Sequence, residues 1–198
     1  MACYHMMTGY RSKSGRDKTT GKWPVVFSVK DGYKDLKVEI PCGKCIGCKL
    51  EKSRQWAIRC VHESKLYKQN CFLTLTYNEE SIKQLEIIDE TIEKNNIKKQ
   101  YSLNKRHFTL FVKRLRKKYG NNIRYIQCGE YGEKFSRPHH HACIFNFDFP
   151  DKELWKIKSN SKLYTSESLN KLWRYGYCVI GEVTFDSAAY ISRYVTKK

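Results

Sequence analysis

The chain has 198 residues, enough for one domain with a real hydrophobic core, and its 40% apolar and 14% aromatic content argues against disorder. Lys and Arg outnumber Asp and Glu by 38 to 20, a formal charge of +18, which argues against an enzyme of neutral metabolites and for a polyanionic partner. No stretch approaches the roughly 20 apolar residues of a bilayer span, so nucleic acid is the expected polyanion and no membrane is expected.

The amino terminus, Met1 to Met7, lacks a charged-then-apolar leader, so a cytoplasmic, reducing compartment is expected, with the nine cysteines as thiols or metal ligands. Residues 25–29 and 36–40 read as two short strands paired around the turn signal Asp31-Gly32. Cys42, Cys45 and Cys48 follow, then a helix over 49–67, where Ala57, Cys60, Val61 and Ser64 recur at helical spacing around Trp56. Phe72 to Tyr77 alternates apolar residues with threonine and reads as a central strand. Residues 80–100 are charged, with Ile82, Leu85, Ile88 and Ile92 on a short helix, and read as an excursion from the core.

From 104 to 119 a helix places Phe108, Phe111, Val112, Leu115 and Tyr119 on one stripe, until Gly120-Asn121-Asn122 stops it. Residues 123–128 and 139–145 read as the two strands of a hairpin. A helix over 166–175 carries Leu169, Leu172 and Trp173, residues 177–183 form a strand, and a last helix starts at Ser187 with Asp186 as its cap. Hairpins mixed with helices, without a regular βα repeat, predict one α+β domain over 1–198: an antiparallel sheet of about five strands with helices on one face. Residues 1–67 form a subregion of it around the cysteines.

Side chains two apart on a strand share a face, so His139 and His141 present paired imidazoles while His140 points away. Two imidazoles leave a divalent ion under-coordinated, and a carboxylate should converge from the neighbouring strand. Glu130 and Glu133 are the local candidates, and Glu130, which closes the preceding strand, is favoured. Tyr190 and Tyr194 lie one helical turn apart, with Lys197 and Lys198 on the next turn. A phenol becomes a nucleophile only with help, which a metal-polarised phosphate and a nearby ammonium supply.

Arg137-Pro-His-His-His-Ala-Cys-Ile-Phe145 resembles the His-hydrophobic-His signature of the HUH endonucleases, with His140 in the middle position. Phe72 to Tyr77 resembles that family's first motif, and Ala189-Tyr-Ile-Ser-Arg-Tyr-Val-Thr-Lys-Lys198 its two-tyrosine third motif. With Pro41-Cys-Gly-Lys-Cys-Ile-Gly-Cys48 and Cys128-Gly-Glu-Tyr-Gly132, the whole chain is similar to replication initiators of the small single-stranded DNA bacteriophages, the microviruses, particularly the gokushovirus branch. The resemblance implies an RRM/ferredoxin-like HUH sheet with a tyrosine helix beside the histidines. Its implied ligands for Mg2+ or Mn2+ are His139, His141 and Glu130, its nucleophiles Tyr190 and Tyr194, and its charge-stabilising partner Lys197. The implied activity is nicking of single-stranded origin DNA through a 5′-phosphotyrosine to start rolling-circle replication, alongside host replication machinery in a bacterial cytoplasm. The alternative is a non-catalytic, basic nucleic-acid-binding module with a zinc knuckle.

The C-x2-C-x2-C run of Cys42, Cys45 and Cys48 suits thiolate coordination, and Lys52 stands where a bacterial iron–sulfur run has its next cysteine, so structural zinc is preferred. Cys3, Cys60 or His62 completes it. Arg114, Lys117 and Arg137 are the expected phosphate contacts, and the chain's end inside the tyrosine helix suggests a larger natural protein.

Overall fold

The computed structural model describes residues 3–87, 100–132, 135–158 and 161–196. The chain divides into two compact units, Met1–Lys52 and Ser53–Lys198.

The first unit is built on a three-stranded antiparallel sheet of β1 (Met7–Ser12), β2 (Val25–Val26) and β3 (Gly32–Ile40), in the order β2-β1-β3. The expected hairpin between 25–29 and 36–40 is therefore interrupted. Tyr10 of β1 pairs with Val26 on one side and Lys37 on the other, so the earlier segment occupies the slot between them. The helix α1 (Ile46–Lys65) starts in the turn that holds Cys45 and Cys48.

The second unit continues through β4 (Asn70–Thr76), α2 (Glu79–Lys83), the short pair β5 (Glu86–Ile87) and β6 (Gln100–Tyr101), and α3 (Lys105–Tyr119). Ile88 and Ile92, assigned to the excursion's helix, lie outside the described residues, whereas Ile82 and Leu85 are buried. Then come β7 (Arg124–Tyr131), β8 (Pro138–Phe145), β9 (Lys152–Lys158), β10 (Ser161–Ser166), α4 (Glu167–Trp173), β11 (Cys178–Gly181) and α5 (Phe185–Val195). Six strands form one antiparallel sheet in the order β7-β8-β4-β11-β10-β9. The α+β class is as expected. The sixth strand comes from the β9–β10 hairpin at the edge, where every described β9 residue is exposed.

The sheet is covered on both faces, not one. Leu73, Leu75, Ala142 and Ile144 join Phe108, Phe111, Leu115, Leu169 and Trp173 of α3 and α4 in the larger core. On the other face Cys128, Cys143 and Phe145 pack with Ala57 and Cys60 of α1 and Ala188 and Ile191 of α5. This double cover explains why β8 is buried along nearly its whole length, a pattern that alternation alone does not produce. Gly176 fixes the approach of the loop before β11 to the end of β4. A Cβ there would stand 2.4 Å from the Asn78 amide nitrogen and 2.5 Å from the Thr76 carbonyl oxygen.

The last helix begins two residues before the position expected from Asp186. Thr184 is the cap: its hydroxyl accepts the Ser187 N–H while the Ser187 hydroxyl accepts the Thr184 N–H, a reciprocal box that satisfies two otherwise orphaned donors. No helix among the described residues is long and apolar enough to cross a membrane.

Candidate active site

The hairpin register puts Glu130 of β7 directly opposite His139 of β8, and Cys128 opposite His141. Because β8 alternates, His139 and His141 project from the face that also carries α5, while His140 turns to the other core and meets the Tyr77 hydroxyl at 3.2 Å. Glu130 Oε1 lies 2.9 Å from His139 Nε2 and 3.9 Å from His141 Nε2. Glu130 and His141 are buried and His139 is half-buried. The three side chains expected as ligands are thus brought together, one ligand atom from each, within 4.8 Å of one another.

Both imidazoles are oriented from behind. His139 Nδ1 is 3.0 Å from the Arg137 carbonyl oxygen, which can only accept, so this nitrogen carries the proton and Nε2 offers its lone pair. That lone pair faces Glu130 Oε1, another acceptor, and two acceptors 2.9 Å apart need a proton or a cation between them. Adjacent oxygen or nitrogen donors at about 2.1 Å from an octahedral ion stand about 3.0 Å apart, so the spacing suits a hard divalent cation. Glu130 Oε2, buried and without a hydrogen-bond partner, adds a second unsatisfied acceptor.

His141 Nδ1 is 3.1 Å from the Thr74 hydroxyl, which lies opposite it in the β4–β8 register, and its ring stacks on Phe72 at 5.5 Å between centroids. Burial pushes His141 down to about 4, with neighbouring His139 adding to the effect and Glu130 opposing it, so the ring is neutral and ligand-competent near pH 7. Thr74 and Phe72 were missed as site residues in the sequence. The signal is weak, because only the register pairs them with His141.

Tyr190 of α5 reaches the same carboxylate: its hydroxyl donates to Glu130 Oε1 at 2.5 Å, and its ring meets His141 edge-on at 5.1 Å. Burial raises its pKa above the ordinary phenol value, and the hydrogen bonds to Glu130 and Tyr194 raise it further. Tyr194, one turn on, lies 5.3 Å from the Tyr190 ring and borders a cavity of about 420 Å³ with Lys105, Gln127 and Tyr131. Tyr190 is therefore the tyrosine in contact with the ligand cluster. Lys197 and Glu133 lie outside the described residues.

The expected phosphate contacts are placed unequally. Arg114 donates from Nε to the Leu172 carbonyl at 2.8 Å and from Nη2 to the Trp173 carbonyl, tying α3 to the end of α4. Arg137 pairs with Glu79 at 2.6 Å and also donates to the Tyr77 carbonyl, while Lys117 is exposed on α3.

In the first unit Cys42, Cys45 and Cys48 come together with Cys3, the sulfurs all within 4.8 Å of one another. Of the three residues named to complete the run, Cys3 is the one present in this cluster. Backbone N–H groups, that of Tyr4 first and then that of Cys48, pull the Cys45 thiol below its ordinary range.

Residues 70–198 match the replication-associated protein ORF2 family. The chain is 39% identical over 186 residues to replication-associated protein VP4 of Bdellovibrio phage phiMH2K, covering 88% of this chain and 53% of that protein. It is 37% identical over 167 residues to replication-associated protein ORF2 of Spiroplasma virus 4, covering 80% and 48%. With replication-associated protein ORF4 of Chlamydia phage 1 the identity is 31% over 188 residues, covering 85% and 41%. The chain spans about half the length of the curated relatives it matches. No solved structure matches it. The matched region runs from β4 through both histidines to the tyrosine helix, and on that match the chain belongs to the replication-associated protein ORF2 family.

Proposed function

We propose that the chain is the DNA-nicking and -joining part of a rolling-circle replication initiator, with Tyr190 making the first cut. The observation that carries this reading is the hydroxyl of Tyr190 on the same Glu130 oxygen that faces both histidines, a nucleophile held at a hard-cation ligand set. Three replication-associated phage proteins among its relatives support the setting.

Glu130, His139 and His141 would hold Mg2+ or Mn2+, since one carboxylate and two imidazoles suit either ion better than soft metals. When bound, the ion supplies Lewis-acid polarisation of the scissile phosphate and draws the Glu130 charge away from the phenol. Without that neutralisation Tyr190 stays a protonated phenol, because the buried carboxylate raises its pKa. Thr74 and the Arg137 carbonyl hold the two imidazoles with Nε2 inward, so the ligand geometry is set before DNA arrives.

Tyr190 then attacks phosphorus in line. Its phenolic oxygen forms the new bond to phosphorus as the bond to the 3′ oxygen breaks, and the proton lost by the phenol is recovered by the leaving 3′ oxygen. The products are a 5′-phosphotyrosine and a free 3′-hydroxyl that primes synthesis, and the phosphodiester energy is conserved for rejoining. Tyr194, stacked beside Tyr190, cuts the regenerated origin in the second round, with Lys197 as its charge partner. Lys117 and Arg137 contact the DNA backbone; Arg114, held by two carbonyls, contributes least. The partners are single-stranded origin DNA and host replication proteins, and the work is done in the host cytoplasm.

The test uses single-stranded oligonucleotides tiling the replicon that encodes the chain, incubated with Mn2+ and read on a denaturing gel. A slow protein–DNA adduct that requires Tyr190 and His141 is expected. Tight binding with no adduct on any oligonucleotide, with Mg2+ or Mn2+, would replace this reading with the non-catalytic binding module.

A further inference from the structure

We propose that Cys3, Cys42, Cys45 and Cys48 form a closed tetrathiolate centre for one zinc ion, and that this ion takes the place of an apolar core in the first unit.

The sulfur spacing sets the nuclearity. Zinc binds thiolates at about 2.3 Å, and a tetrahedron of that radius has edges of about 3.8 Å. The sulfurs of Cys45 and Cys3 are 3.9 Å apart, and all four lie within 4.8 Å of one another. A disulfide needs about 2.05 Å, and all four cysteines are free. A four-iron cluster places each thiolate on a different iron and spreads them more widely than this, and the chain has Lys52 where the ferredoxin-type run has its next cysteine.

The local backbone is prepared for charged sulfur. The Cys42 N–H donates to Cys3 Sγ at 3.3 Å, the Cys45 N–H to Cys42 Sγ at 3.3 Å, and the Cys48 N–H to Cys45 Sγ at 3.4 Å. Three of the four sulfurs thus receive amide hydrogens, which favour thiolate over thiol. Gly43, at φ +73°, makes the tight turn that brings Cys42 and Cys45 to one centre.

The unit itself needs a staple. Among its described residues Cys48 is the one apolar side chain that is buried, while Tyr4, Met6, Phe27, Val29, Leu36 and Ile46 are exposed. A unit below about 70–80 residues without a hydrophobic core is held by disulfides or a structural metal, and no disulfide is present among these cysteines. Cys3 precedes β1 and Cys42 follows β3, so the ion ties both ends of the three-stranded sheet to the start of α1. Four protein ligands leave no open position, which makes the centre structural.

The experiment takes the full chain, purified without added chelator, and measures bound metal together with limited proteolysis. One zinc per chain is expected, released as a mercurial titrates four thiols. Its release should expose Met1–Lys52 to protease while residues beyond Ser53 stay protected. Cys3→Ser should lose the zinc to a chelator that the parent chain resists, and Cys60→Ser should keep it. The proposal is overturned by a chain that is free of zinc yet equally protected, by bound iron with visible absorption, or by zinc that survives Cys3→Ser and is lost on Cys60→Ser.

Discussion

Two ligand clusters on one chain illustrate opposite uses of the same residue chemistry. Glu130, His139 and His141 combine one carboxylate with two imidazoles, stand beside a phenol and leave Glu130 Oε2 unsatisfied. The cysteine cluster is all sulfur, its acceptors already meet backbone N–H groups, and among the described residues no nucleophile beyond the four thiols enters it. Hard, incomplete ligand sets suit exchangeable ions that must also touch substrate, whereas soft and complete ones suit ions that hold a fold. The difference teaches that the number of donors left over, more than the number supplied, separates a reaction centre from a staple.

The comparison breaks first at Tyr190. Tyr190→Phe should cut adduct formation by more than about 10⁴-fold, while zinc content stays at the parent value. Equal adduct yield from this variant would remove Tyr190 from the reaction. The next largest effect is metal removal: EDTA should abolish nicking within minutes, and Mn2+ should restore it, without touching the thiolate-bound ion. Nicking that survives EDTA and fails only after a mercurial would reverse the roles of the two clusters.

A finer contrast lies behind the ligands. Thr74→Val removes the hydroxyl that holds His141 Nδ1 and should weaken divalent-ion affinity about 10–100-fold, as read by the Mn2+ concentration at half-maximal nicking, with near-parent yield at saturating Mn2+. An unchanged Mn2+ dependence would show that Phe72 stacking alone fixes the ring. The smallest effect is expected at Tyr194: Tyr194→Phe should leave the first cut within about threefold of the parent but abolish release of rejoined circles. A first cut lost to the same degree as in Tyr190→Phe would put both phenols in one step.

Much of the fold and the ligand set was legible because strand periodicity survives without tertiary context. His139 and His141 fall on one face by alternation, and Glu130 lies opposite because a hairpin joins their strands. The parts that were not legible depend on distant pairing. Thr74 meets His141 only through the β4–β8 register, across 67 residues of sequence. The position of β1 between β2 and β3 was hidden because its six residues carry little apolar alternation. The β9–β10 edge escaped notice for a related reason: Leu154, Trp155 and Ile157 are all exposed, so no buried face imposes a pattern. Helices on both sheet faces follow from a β8 buried on both sides, which in sequence looks like a plain apolar run after the histidines.

Which tyrosine stands at the ligand cluster could not be read from helical spacing, since residues four apart share a face equally. The structure puts the Tyr190 hydroxyl on Glu130, and the central claim is that this contact selects the first nucleophile. The direct measurement is to trap the adduct with single-stranded origin DNA and Mn2+, digest with nuclease and trypsin, and find the modified peptide by mass spectrometry. Trypsin cleaves after Arg193, so the peptide ending there carries Tyr190 and the next carries Tyr194. A phosphonucleotide on the peptide ending at Arg193 is the predicted result, and one found solely on the Tyr194 peptide would contradict it.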